Sequence, residues 1–132
     1  MKSETEQIVV LPIWILNGKN RYQLNLNQYN QWYYQLRNKI KKLFKEQVKD
    51  SLGFSFSGEI EIYYRYYAPD RRTRDLMNVI AVADKFFQDT LTQYGCIEDD
   101  NTKIVKNVTC KYMGIDRDNA RIEATIKPYY AD

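Results

Sequence analysis

Apolar positions along the chain fall into alternating strand and helix periods. Ile8 to Leu16 (Ile-Val-Val-Leu-Pro-Ile-Trp-Ile-Leu) is nearly all apolar and rich in β-branched residues, which predicts a strand. Pro12 has no N–H for a ladder, so an edge, bulge or break is expected there. Asn17-Gly18-Lys19-Asn20 reads as a turn that delivers Arg21 and Tyr22. From Asn27 to Leu52 the period becomes helical: Tyr29, Trp32, Tyr33, Leu36, Ile40, Leu43, Phe44 and Val48 recur at three and four residues. Gly53 is a natural stop. Glu59 to Tyr67 alternates cleanly, with Ile60, Ile62, Tyr64 and Tyr66 on one side, as a half-buried strand does.

A second helix is predicted from Leu76 or Met77 to about Tyr94, with Val79, Val82, Ala83, Phe86, Phe87 and Leu91 as its core stripe and Gly95 as its end. Thr102–Tyr112 and Asn119–Lys127 complete the chain as two strands joined by a turn at Asp116-Arg117-Asp118-Asn119. The order is β-α-β-α-β-β, and the expected fold is a mixed α+β domain with two helices on a mixed sheet, spanning residues 1–132 as a single unit.

Composition narrows the chemistry. The chain has 132 residues, 44% of them apolar, which suits one globular domain with one core. It contains no histidine, so Ser-His-Asp and Cys-His catalysis and His-ligated zinc are excluded. Cys96 and Cys110 have no metal-binding spacing and read as thiols of a reducing compartment. No signal peptide and no long apolar run is present, so a soluble, cytoplasmic protein with no membrane partner is expected.

A net charge of +3 decides little; its distribution matters more. Arg37, Lys39, Lys41, Lys42, Lys45 and Lys49 share the polar side of the first helix. They read either as a solvated face or as a track for a DNA backbone. The tyrosines of residues 63–67 read as sheet packing, with base stacking on RNA or DNA as the sharper alternative. Arg71, Arg72 and Arg74 stand against Asp75, and acid returns at Glu98, Asp99 and Asp100. Carboxylates converging from separate elements, here Asp75, Asp89, Asp99 and Asp100, would suit Mg²⁺ or Mn²⁺ rather than zinc. Lys85 on the intervening helix would then support a developing charge at phosphorus. A merely solvated acidic loop is the plainer reading.

The same residues resemble the RusA family of Holliday-junction resolvases, small homodimeric Mg²⁺-dependent endonucleases. The family's Pro-Asp-Arg-Arg-x-Arg-Asp-Leu-x-Asn run is matched by Pro69 to Asn78, and its Lys-x-x-x-Asp-x-Leu helix by Lys85, Asp89 and Leu91. Its Gly-x-x-x-Asp-Asp return is matched by Gly95, Asp99 and Asp100, and its early Asn-Arg-Tyr loop by Asn20-Arg21-Tyr22. The resemblance implies a homodimer that nicks four-way DNA junctions with Mg²⁺ (Mn²⁺ as substitute) and no organic cofactor. It implies Asp75 and Asp100 as metal ligands, Asp99 as an accessory ligand and Lys85 as the catalytic lysine. DNA would be gripped by Arg71, Arg72 and Arg74, by Lys19, Asn20 and Arg21, and by Lys42.

Two departures stand out. Met77 occupies the position of a family aspartate, and the stretch between Asn78 and Lys85 is longer by four residues, about one helical turn. Asp84 lies seven residues past Met77, close to two turns on the same face, and is the candidate replacement ligand. A junction-binding accessory protein with weak or no hydrolysis is the alternative, and a small RNA-binding domain is a third.

Overall fold

The computed structural model describes residues 5–130. Strand β1 (Gln7–Leu11) stops at Pro12, as the missing N–H requires. Beyond it the chain leaves the main sheet for a separate hairpin, β2 (Trp14–Asn17) paired with β3 (Asn20–Gln23). Gly18 closes that hairpin at φ 62°, a conformation that favours glycine.

The long helix expected from Asn27 to Leu52 is two helices. Asn25 caps α1 (Leu26–Tyr29), its Oδ1 accepting from the Gln28 N–H at 2.8 Å. Helix α2 (Tyr34–Val48) follows and tightens into a 3₁₀ turn at Lys49–Ser51. The break turns Trp32 inward, where its ring meets Tyr22 and Tyr29 edge-on at 5.8 Å each. Tyr33, counted on the apolar face when one axis was assumed, is exposed.

Strand β4 (Ile60–Ala68) keeps the strict alternation of its sequence. Helix α3 (Leu76–Gln93) then crosses to β5 (Val105–Ile115), and a turn leads to β6 (Arg121–Pro128). The main sheet has the order β1-β6-β4-β5. β4 and β5 are parallel, and the other neighbours are antiparallel. The fold is therefore mixed α+β as expected, with three helices instead of two and an added hairpin.

Ile60, Ile62, Tyr64, Tyr66 and Ala68 line the buried face of β4, and α2 and α3 cover it. Phe86 meets Phe44 at 5.7 Å and Tyr29 at 6.1 Å, so one α3 ring ties both other helices to the core. The opposite face of the sheet is mixed, with Ile8 and Val10 of β1 exposed alongside charged side chains. There Lys127 sits over the Tyr63 ring at 4.7 Å and Arg121 over Tyr67 at 3.9 Å. Of residues 63–67, Tyr64 and Tyr66 are thus core, as sheet packing expects, and the half-buried Tyr63 and Tyr67 carry cations of β6. Among the described residues no helix is long and apolar enough to cross a membrane.

The parallel β4–α3–β5 unit sets the geometry of everything functional. Its helix runs back against both strands. Asp75 therefore lies where β4 and β5 end, and the Gly95–Lys103 loop lies where they begin.

Candidate nucleic-acid interface at the start of α3

The loop after β4 is held by its own charges. Asp70 Oδ1 accepts from the Arg72 N–H at 2.9 Å and from Arg74 Nη1 at 2.8 Å, and Arg74 also donates to the Arg72 carbonyl at 3.2 Å. The Arg74 hydrogen bond, with the Arg72 N–H behind it, holds the Asp70 carboxyl below its ordinary range. Arg74, expected to grip DNA, braces this loop and also lines the recesses beside it. Arg71 and Arg72 are exposed and make no ion pair among the described residues.

Asp75 is the N-cap of α3. Its Oδ1 accepts from the N–H groups of Met77 at 3.0 Å and Asn78 at 3.4 Å. Oδ2 makes no hydrogen bond among the described residues. Asp75 borders a polar recess of about 250 Å³ that Gln23, Asn25, Arg72 and Asn78 also line. A second recess of about 270 Å³, between Tyr66, Arg71, Leu76 and Tyr112, shares the Arg72–Arg74 wall. Cavities at the carboxyl ends of parallel strands are where open sheets bind ligands.

The remaining carboxylates do not gather there. Helix α3 has 18 residues, a length of about 27 Å at 1.5 Å per residue. Asp75 precedes it, whereas Asp99 and Asp100 follow it at the far end. Asp99 Oδ1 accepts from the Asp100 N–H at 2.7 Å and Oδ2 from Asn101 Nδ2 at 3.0 Å. Burial raises the Asp100 pKa, the Asp99 carboxylate adds to this, and Asp89 contributes as well, all at that far end. The expected pairing of Asp75 with Asp100 within one chain is corrected: the parallel crossover separates them. Among the described residues no three Asp, Glu or Cys side chains converge.

Asp84 does not replace the carboxylate missing at Met77. Its Oδ1 accepts from the buried Tyr64 hydroxyl and from Gln88 Nε2 at 2.8 Å. It also lies nine residues, about 14 Å, along the axis from Asp75. A buried tyrosine hydroxyl needs a partner, and that need was the available signal. Lys85 is exposed, its Nζ 5.5 Å from the Tyr29 ring, and about 15 Å along the helix from Asp75. Asp89, expected among the converging carboxylates, bridges to Lys41 and, at 3.3 Å, to Lys45 instead.

The basic row on α2 is accordingly thinner than its sequence suggests. Lys41 and Lys45 are engaged by Asp89, and Lys49 by Glu46 at 2.7 Å. Lys39 and Lys42 are exposed with no ion pair among the described residues. Lys19, Asn20 and Arg21 are exposed on the β2–β3 hairpin, with the Arg21 guanidinium 4.3 Å over the Trp14 ring.

Fold and site together define an α+β domain with polar recesses, walled in part by Arg72 and Arg74, at the carboxyl ends of its parallel strands. No known protein-family model matches this chain, and no curated protein matches it.

Proposed function

We propose that this chain acts on branched DNA as a Mg²⁺-dependent, RusA-like endonuclease that nicks four-way junctions. One observation carries the reading. Asp75 presents an uncommitted carboxylate oxygen beside exposed Arg71 and Arg72, in the middle of the Pro69–Asn78 run that resembles the family. Arg71 and Arg72 bind phosphate, and the Arg74–Asp70 brace keeps the loop in shape for them. Mg²⁺ often takes one or two protein carboxylates plus substrate phosphate, so Asp75 suits one such position, with the Asn78 amide beside it. When bound, the ion supplies charge neutralisation and an activated water. One chain fits a single carboxylate and no chelating pair; the second carboxylate is assigned to Asp99 or Asp100 of a second copy. Two unpaired cysteines accord with a reducing, cytoplasmic setting.

A synthetic four-way junction tests this. Paired nicks that require Mg²⁺ or Mn²⁺ and vanish in Asp75→Asn support it; tight junction binding without nicking at any metal concentration overturns it. The latter result is what the accessory-protein reading expects. That second reading is favoured by Met77, exposed where the family carries a carboxylate.

A further inference from the structure

We infer that Arg37 and Lys85, set against the ring of Tyr29, form a second phosphate subsite that holds a backbone phosphate of the bound strand some distance from the Asp75 recess. That the phosphate belongs to DNA rests on the function proposed above. Tyr29 ends α1, and its ring is fixed by edge contacts with Trp32 at 5.8 Å and Phe86 at 6.1 Å. The Arg37 guanidinium lies 4.3 Å over that ring, and Lys85 Nζ lies 5.5 Å from the same centroid. Arg37 Nε also donates to the Tyr29 carbonyl at 3.1 Å, so the planar fork is held by its face and its inner edge. Its two terminal amines make no hydrogen bond and no ion pair among the described residues, and neither does Lys85.

Two cations on one ring repel each other, and the α3 acids on either side of Lys85 are spent elsewhere. Asp84 accepts from the Tyr64 hydroxyl, and Asp89 bridges to Lys41 and Lys45. Arg37, Lys41 and Lys45 follow one another at four-residue spacing on α2, and only Arg37 lacks a carboxylate. A phosphate supplies what is missing: two oxygens for the preset fork and a negative charge for the lysine.

The pair lies in line with the recess. Lys85 is seven residues past Asn78, close to two turns on the same side of α3 and about 10 Å along its axis. Asn78 lines the recess beside Asp75, as does Asn27, two residues before Tyr29 on α1. Recess and subsite therefore follow the seam where α1 packs on α3. Their spacing is about three steps of a B-form strand, at roughly 3.4 Å each.

Junction binding in EDTA, followed as salt is raised, tests this apart from cutting. Arg37→Gln and Lys85→Glu should each lower the log–log slope by about 0.9, one phosphate contact. The double variant should lose the same single step, because both cations serve one phosphate. An unchanged slope in either folded variant overturns the inference, and so does a loss of two steps in the double variant, the result for independent contacts. Should Arg37→Gln unfold for want of its bond to the Tyr29 carbonyl, Lys85→Glu decides alone, since Lys85 is exposed and bonds no other side chain among the described residues. A single-step loss in a chain that never nicks keeps the subsite and sinks the nuclease; intact nicking with unchanged slopes does the reverse. A chain that binds no junction removes both.

Discussion

The two ends of α3 are built from similar residue types and behave oppositely. At its start, Asp70 is drawn into ion pairing with Arg74, Asp75 caps the helix, and two arginines remain exposed. At its finish, Asp99 and Asp100 crowd one another while Asp89 draws in two lysines of α2. One end has surplus positive charge and an open carboxylate oxygen; the other has surplus negative charge. A single copy can offer phosphate a grip at one end only. What the difference teaches is that chemistry requiring both ends requires two copies.

The largest expected effect breaks this comparison directly. Asp75→Asn keeps the helix cap, since asparagine caps as well as aspartate, yet should lower junction nicking by roughly 10²–10³-fold. Asp100→Asn should do comparable damage from the far end. Mixing the two inactive variants then discriminates between arrangements. If Asp75 of one copy works with Asp100 of the other, each mixed dimer keeps one intact pair and nicking of one strand returns. No recovery on mixing would sink the two-copy arrangement while leaving Asp75 in place.

The middle of the helix provides the contrast. Asp84→Asn should leave nicking intact, because Asp84 serves the buried Tyr64 hydroxyl. Asp84→Ala strands that hydroxyl and should cost about 1–3 kcal/mol by chemical denaturation. Abolished nicking in a stably folded Asp84→Asn protein would return Asp84 to the site.

Arginine substitutions sharpen the comparison with a smaller effect. Replacing Arg71 and Arg72 by alanine should flatten the log–log salt dependence of junction binding by about 2 units, at roughly 0.9 per phosphate contact. Arg74→Ala should act differently, loosening the loop that its bond to Asp70 braces. Equal salt slopes before and after the Arg71 and Arg72 changes would detach the loop from DNA.

Much of this fold is legible along the chain, and the reasons for the gaps are physical. Pro12 marks the end of β1, the alternation of Glu59–Tyr67 gives β4, and the apolar stripe of α3 runs where its spacing puts it. The break at residues 30–33 is hidden because Tyr29, Trp32 and Tyr33 continue the helical count while the backbone changes axis. Asp75 and Asp100 look like partners because they bracket one helix. Whether a helix brackets or separates depends on the strand that follows it, and the parallel pairing of β5 with β4 is a long-range choice with no local signature. The Asp84–Tyr64 bond is equally non-local, joining strand to helix across twenty residues.

The smallest effect is read from protonation. Asp70 should titrate below the ordinary aspartate value, because Arg74 and then the Arg72 N–H favour its ionised form. Its stabilising contribution is present above the unfolded-state pKa and is lost as pH falls through the depressed folded-state value. Asp100 should titrate above the ordinary value, through burial first and the Asp99 hydrogen bond second. There the sign reverses: ionised Asp100 disfavours the fold at neutral pH, and the cost fades as pH falls through the raised folded-state value toward the unfolded one. Side-chain carboxyl NMR read across the acid range should separate the two residues in opposite directions. Arg74→Ala should bring Asp70 upward, and Asp99→Asn should bring Asp100 downward. Coincident titration of both at the ordinary value would erase this electrostatic contrast between the two ends of α3.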